Sequence, residues 1–315
     1  MRTTFLNTLF ELAKQDPRIV FITGDLGFGV AERFMEELPN QFVNAGVAEQ
    51  NMTGMAVGMA LSGKTVFTYS IANFPTLRCL EQVRNDVCYH EADVKVVSVG
   101  GGFAYGSMGA THFATEDLGV MRVLPNLLVV APGDPVETRH ATRALVEHSG
   151  PCYLRLGKAG EPVVHKGEIE FKLGKAIRVR NGGDVTLIST GGMLYNTVAA
   201  AEMLDAEGLH ARVLSMHTLK PLDIEAVQSA AADTGAIVTI EEHSIVGGLG
   251  SAVAEVLAET DGVHARFKRL GVPPHFAPRV GTQEYLLGEH GLAVEQIASS
   301  VKDFVTTRAA TATRA

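Results

Sequence analysis

The chain has 315 residues, with 27 Lys and Arg against 35 Asp and Glu and a formal net charge of −8. That length suits two domains, the 46% hydrophobic content excludes a largely disordered chain, and the acidic balance argues against non-specific nucleic-acid binding, which needs basic surface. No apolar run reaches the ~20 residues of a membrane span, Met1-Arg2-Thr3-Thr4-Phe5 does not read as a signal peptide, and Cys79, Cys88 and Cys152 suit neither a disulfide framework nor a zinc site, so the expected compartment is a reducing cytoplasm.

Ile19–Ile22, Lys64–Tyr69, Val94–Val99 and Leu127–Val130 are short, rich in β-branched residues and bounded by turn formers, and predict buried strands. Thr4–Asp16, Gln50–Leu61, Thr76–His90 and Asp134–Ser149 have helical spacing. Such alternation implies a mostly parallel sheet covered on both faces, with its ligand site at the carboxyl ends of the strands. The pattern restarts with strand Asp184–Ser189, helix Gly191–Glu207, strand Ala211–Leu214, helix Asp223–Asp233, strand Ala236–Ile240 and helix Gly250–Glu259. Between the halves, residues 157–183 are glycine-rich and read as the join. Thr306–Ala315 is expected to fray.

Asn44-Ala-Gly-Val-Ala-Glu-Gln-Asn-Met-Thr-Gly54 follows a short strand and opens a small-residue helix, which puts Glu49 near a helix N-terminus at a strand end. An acidic residue there is also stabilised by the helix dipole without any chemistry. The order Gly-x-Ala-Glu-Gln resembles a segment shared by transketolases, 1-deoxyxylulose-5-phosphate synthases and beta subunits of 2-oxo acid dehydrogenases. In those thiamine-diphosphate enzymes the glutamate hydrogen-bonds the aminopyrimidine ring, promoting the imino tautomer that takes the thiazolium C2 proton. The resemblance implies that role for Glu49, which needs a carboxyl group in a water-poor pocket.

The resemblance covers nearly the whole chain. Phe21-Ile-Thr-Gly-Asp25 is similar to the family's first strand and acidic turn, which places Asp25 near the cofactor; a turn-capping aspartate is the other reading. Tyr69-Ser-Ile-Ala-Asn-Phe-Pro-Thr-Leu-Arg-Cys-Leu-Glu-Gln-Val-Arg84 resembles the aromatic-then-helix segment. It puts Phe74 at the position that stacks on the pyrimidine, with Asn73 as a neighbouring polar contact. Gly106-Ser-Met-Gly-Ala-Thr-His-Phe-Ala-Thr-Glu-Asp117 resembles the Gly-x-Asp-Gly-x-Thr-His loop. His112 then matches the active-site histidine that faces the substrate, a place suited to a group that exchanges protons near neutrality. The second half resembles the transketolase C-terminal domain, whose contribution is subunit packing. No catalytic residue is expected there, with His243 the one tempting exception.

The implied fold is α/β: a parallel-sheet, pyrimidine-binding domain over residues 1–165, then a smaller transketolase C-terminal-like α/β domain over 175–315. The family holds the diphosphate through a metal on a Gly-Asp-Gly…Asn motif in another domain, and this sequence has no Gly-Asp-Gly. The resemblance therefore implies the C-terminal subunit of a split transketolase, with no metal ligand of its own. Thiamine diphosphate would be shared with an N-terminal partner subunit that carries the Gly-Asp-Gly motif and holds Mg²⁺, or Ca²⁺ or Mn²⁺. An A₂B₂ assembly with a B–B contact is expected, and the chain alone is expected to be inert.

Substrate-facing positions depart from the common pattern. Met108 stands where sugar transketolases have an aspartate that contacts a donor hydroxyl, and Gly100-Gly-Gly102 stands where relatives acting on phosphopentoses carry His or Arg. Arg2 and Lys158 match positions that often contact sugar phosphate; an exposed terminal cation and a loop lysine are the plainer readings. These departures predict ketol transfer between unusual sugars, such as a modified ketose phosphate or a sulfonated or deoxy sugar. The competing readings are a dehydrogenase beta subunit, against which Thr111-His112 and the tail Gly281–Leu292 argue, and an inactive scaffold of the same fold.

Overall fold

The computed structural model describes residues 1–27, 29, 31–262 and 265–312, and side chains as far as Thr307. The strands are β1 (Ile19–Thr23), β2 (Phe42–Asn44), β3 (Thr65–Ile71), β4 (Val94–Val99), β5 (Leu128–Val130), β6 (Cys152–Leu156), β7 (Ile177–Arg180), β8 (Val185–Ser189), β9 (Ala211–Ser215), β10 (Thr218–Lys220), β11 (Ala236–Ser244) and β12 (Arg266–Val272). They form a seven-stranded sheet in the order β10-β5-β6-β4-β3-β1-β2 and a five-stranded sheet in the order β12-β11-β8-β9-β7. The pairings within the sheets are parallel except β10 on β5 and β7 on β9, the mostly parallel α/β plan that the sequence predicts.

The first sheet is covered on both faces, as a parallel sheet must be. On one side Phe5, Leu9 and Phe10 of helix Arg2–Ala13 pack with Phe21, Phe34 and Phe67. On the other, Met52 and Ala56 of helix Glu49–Leu61 pack with Val83, Val87 and Val96. A third core under β8, β9 and β11 takes in Leu194, Leu204, Ile297 and Val301.

Four details differ from the sequence reading. The segment Thr76–His90 is not one regular helix: a short turn at Leu80–Gln82 continues as wide π turns over Val83–Cys88, and these bring Val83, Val87 and Cys88 against the core together. β7 lies inside the stretch read as the join and is an edge strand of the second sheet. The last helix, Val294–Ala312, runs past Thr306, where the sequence predicts fraying. Finally, β10 leaves the second half and adds antiparallel to the edge of the first sheet, pairing Thr218 with Val130 and Lys220 with Val129.

The two halves also share a buried ionic network. Arg155 on β6 donates to Asp117 at 2.9 Å, to the Ala114 carbonyl at 2.7 Å and to the Glu242 carbonyl at 2.9 Å. The Glu242 carboxylate accepts the Phe103 amide at 2.7 Å and the Gln283 side chain at 3.0 and 2.9 Å. Burial alone would lower the Arg155 pKa, but Asp117, Tyr153 and Glu242 outweigh it and hold the guanidinium charged. Burial pushes the Glu242 carboxyl up.

A candidate active site at the carboxyl edge of the first sheet

Glu49 is the first residue of helix Glu49–Leu61 and is 2% exposed. Ala48 before it is neither helical nor a side-chain cap, so the carboxylate lies in the partial positive field of the helix N-terminus. It rests against the ends of β1 and β3: Gly24 offers bare backbone beside it, and Ser70 Oγ stands 3.4 Å from Oε1. Its other oxygen, Oε2, accepts Nη1 of Arg78 at 2.7 Å. The guanidinium of Arg78 also lies over the ring of Phe74, 4.4 Å from the centroid.

Phe74 in turn meets the His112 imidazole edge-on, with centroids 5.2 Å apart. Asn73 joins the same two segments, donating from Nδ2 to the Phe113 carbonyl, while its Oδ1 is buried without a hydrogen-bond partner. The His112 loop is two 3₁₀ turns, Gly106–Met108 and Ala110–His112, hinged at Gly109 with φ +84°. Its base is closed by paired amides of Gly102 and Ala114, and Thr111 Oγ1 sits 3.0 Å from His112 Nδ1. From the second half, Gly281 donates its amide to the Gly106 carbonyl at 3.2 Å. A methyl group on Gly106 would strike the Gly281 carbonyl, so the tail braces the loop through bare backbone.

Glu49, Phe74, Asn73 and His112 are thus brought together. Lys158 and Arg2 lie further along the same edge and connect through Tyr105, which sequence reasoning missed. Lys158 Nζ is 4.9 Å over the Tyr105 ring, whose centroid is 6.5 Å from that of His112. Burial raises the Tyr105 and Tyr69 pKa values, and the Arg2 charge opposes both shifts, so Arg2 lies beside them; its Nε is buried without a partner. Met108 is 57% exposed at the rim. Asp25 stands at the end of β1 with φ +58°, its carboxylate accepting Asn44 Nδ2 at 2.9 Å, so its visible work is to close a turn. Arg78 is the other residue the sequence did not single out; an arginine four positions after Phe74 carries no signal that it will fold back over the ring.

A cleft of about 660 Å³ opens between the two halves, lined by Gly101, Arg155, Lys158, Tyr195, Glu242 and others, and of the candidate site residues only Lys158 borders it. The Glu49 site is instead a shallow half-pocket, one wall of a space open to the outside. His243 has both ring nitrogens engaged: Nε2 accepts the Gly119 amide at 3.1 Å, and Nδ1 donates to the Ser244 carbonyl at 2.7 Å. Burial lowers its pKa further, fixing a neutral structural tautomer that ties the halves together. Among the described residues no group of three or more His, Cys, Asp and Glu is placed to hold a metal ion. No helix among them is long and apolar enough to cross a membrane.

Residues 1–160 match the transketolase pyrimidine-binding domain and residues 174–297 the transketolase C-terminal domain. The chain belongs to the transketolase family. It is 42% identical to the second of the two subunits of an apulose-4-phosphate transketolase from Phocaeicola vulgatus, over 96% of this chain and 97% of that protein. It is 40% identical to the SqwH component of a 6-deoxy-6-sulfo-D-fructose transketolase from a Clostridium species, over 94% and 92%. A solved split-gene transketolase, described as an inactive beta4 tetramer, superposes with a TM-score of 0.86 at 38% identity, covering 97% of both chains. The chain corresponds along its length to the C-terminal subunit of a split transketolase, a transferase of the thiamine-diphosphate-dependent family. These matches do not favour the dehydrogenase reading. A Pichia stipitis transketolase shares the fold, with a TM-score of 0.82 at 21% identity, and the chain spans 46% of that structure.

Proposed function

We propose that Glu49, Phe74 and His112 form this subunit's half of a transketolase active site, completed by an N-terminal partner that holds the diphosphate and its Mg²⁺. The observation that carries this reading is the buried Glu49 carboxylate, which shares one planar neighbour with the Phe74 ring. That neighbour, the Arg78 guanidinium, sits 2.7 Å from the carboxylate and 4.4 Å over the ring. A flat, nitrogen-bearing group therefore fits between these two side chains, as an aminopyrimidine requires. When bound, thiamine diphosphate supplies a nucleophilic carbon that accepts and hands on the two-carbon unit.

Glu49 would exchange a proton with the ring nitrogen, its carboxylate held by burial and by the helix terminus. Phe74 would fix the plane of the ring. His112, edge-on to Phe74, would face the sugar and move protons at its hydroxyl and carbonyl oxygens. Arg2 and Lys158, on either side of Tyr105, would receive the anionic end of the sugar, Lys158 as a point charge. Asn73 would set the spacing of the two loops, and Asp25 would border the cofactor from the end of β1. The sequence has no Gly-Asp-Gly, and this supports placing diphosphate and metal on the partner. An A₂B₂ assembly follows if two copies of this chain pair.

Met108 at the rim and the bare Gly100–Gly102 support a donor other than a common pentose phosphate, in line with relatives named for apulose 4-phosphate and a sulfonated fructose. The test is co-expression with the partner, addition of thiamine diphosphate and Mg²⁺, and a donor screen read as released aldose. Turnover on a modified ketose with little on xylulose 5-phosphate is expected. Rapid turnover of xylulose 5-phosphate with ribose 5-phosphate would overturn the specialised substrate, and no ketol transfer from any donor would overturn the assignment.

A further inference from the structure

Arg78 makes both of the contacts that the proposed function gives to the cofactor ring. Its Nη1 donates to Glu49 Oε2 at 2.7 Å, and its guanidinium carbon lies 4.4 Å over the Phe74 centroid. A planar ring hydrogen-bonded to the same carboxylate and stacked on the same face cannot coexist with it. The main chain at this point is pinned on both sides: the Arg78 amide donates to the Asn73 carbonyl at 3.2 Å, and its carbonyl accepts Gln50 Nε2, also at 3.2 Å. The side chain is different. It is 46% exposed, and among the described residues its guanidinium hydrogen-bonds Glu49 alone, so it can leave without disturbing the backbone that carries it.

The residue type matters. Guanidinium is flat and carries a fork of N–H donors, so it can stack and hydrogen-bond at once; an ammonium group is a compact point charge that cannot cover a ring. We infer that Arg78 is an internal placeholder for the cofactor ring: it keeps Glu49 paired and Phe74 covered in the unloaded chain, and it swings out when the ring arrives. A buried carboxylate without a partner is costly, and an uncovered aromatic face at an open half-pocket invites non-specific contact. Arg78 relieves both until assembly. It is therefore a positioning residue that sets cofactor affinity, and this rests on the reading of Glu49 and Phe74 as the ring site.

The experiment uses the complex reconstituted with the partner and titrates thiamine diphosphate with Mg²⁺ by calorimetry. Wild type is compared with Arg78→Ala, which removes the placeholder, and Arg78→Lys, which keeps the charge without the plane. A half-exposed cation pair and a cation–ring contact are each weak, so Arg78→Ala is expected to bind about threefold to tenfold more tightly, with Arg78→Lys in between. In a crystal structure of the loaded complex, Arg78 should be out of hydrogen-bond reach of Glu49. If wild type binds the cofactor and Arg78→Ala binds it equally or more weakly, the placeholder idea is overturned while the site assignment stands. Arg78 still over Phe74 in the loaded structure would also overturn it. If the wild-type complex binds no thiamine diphosphate, the site assignment itself fails and the placeholder with it.

Discussion

The imidazole of His112 meets the ring of Phe74 edge-on at 5.2 Å, and this contact unites the turn after β3 with the glycine-rich loop after β4. Asn73 reinforces it from the neighbouring position by donating to the Phe113 carbonyl. The loop itself is held from beneath by the Asp117–Arg155–Glu242 network and from behind by Gly281. The second half therefore contributes to the site without placing a side chain in it: it fixes the backbone on which His112 rides.

Glu49→Ala tests the activating carboxylate. Removing a buried group paired to a half-exposed Arg78 leaves no charge stranded in the core, so the variant should fold and assemble normally. Turnover in the reconstituted complex should fall below about a thousandth of wild type if the proton exchange depends on this carboxylate. Assembly is followed by light scattering and turnover by aldose release. Full activity in an assembled variant would refute the role.

His112→Ala separates chemistry from cofactor binding. Its ring touches Phe74 at an edge and leaves the Glu49 side untouched, so cofactor affinity should change little. The turnover number should drop by about 10² to 10⁴, the usual worth of a positioned acid or base. A fall in cofactor affinity as large as the fall in turnover would show that the imidazole holds the ring and not the sugar.

The strands β1, β3 and β4 are legible in the sequence because each is a short β-branched run between turn formers, and β4 is buried along its whole length. Glu49, Phe74 and His112 are legible because their segments resemble a known family. Arg78 is not, because its position depends on a fold-back that no periodicity encodes. β10 is only three residues long, and its pairing with β5 is a long-range choice invisible to local pattern. In the sequence, the three glycines at 100–102 read as a lost phosphate contact. The structure adds a packing reason: a methyl group there would lie 2.1 Å from Tyr105, 2.4 Å from Arg155 and 2.3 Å from Glu242, respectively. Bare backbone is required at this crossing whatever the substrate.

Gly102→Ala tests that crossing. Gly102 has φ +64°, a region costing an L-residue about 1–2 kcal/mol, and its added carbon would displace Glu242 from the Phe103 amide and Gln283. Arg155→Met strands Asp117 as a buried charge and should cost about 3–5 kcal/mol. Urea unfolding should show both variants destabilised, Arg155→Met the more, and the His112 loop more open to proteolysis. A Gly102→Ala variant as stable as wild type would refute the packing argument.

The connection between the halves carries a pH-dependent clamp. His165 Nε2 lies 2.8 Å from Glu137 Oε1 at the start of helix Pro135–Glu147, where Asp134 accepts the amides of Val164 and His165 at 2.9 and 3.0 Å. Burial pulls His165 down, but the hydrogen bond and charge of Glu137, with Asp134, outweigh it and hold its pKa above the ordinary 6.5. Burial pushes Glu137 up, and His165 and the nearby His217 outweigh that, holding it below the ordinary 4.5. A raised histidine stabilises fully below its unfolded pKa, and that stabilisation is lost as pH rises through the folded one. A lowered glutamate stabilises above its unfolded pKa, and that is lost as pH falls. The pair therefore contributes most between pH 4.5 and 6.5, the two ordinary values. His165→Gln keeps a hydrogen-bond donor for Glu137 but no charge. Its destabilisation relative to wild type, from urea midpoints, should be largest near pH 5.5 and should shrink by about pH 9, where the histidine is neutral in both states. A deficit that stays constant over that range would show that the clamp works through its hydrogen bonds alone.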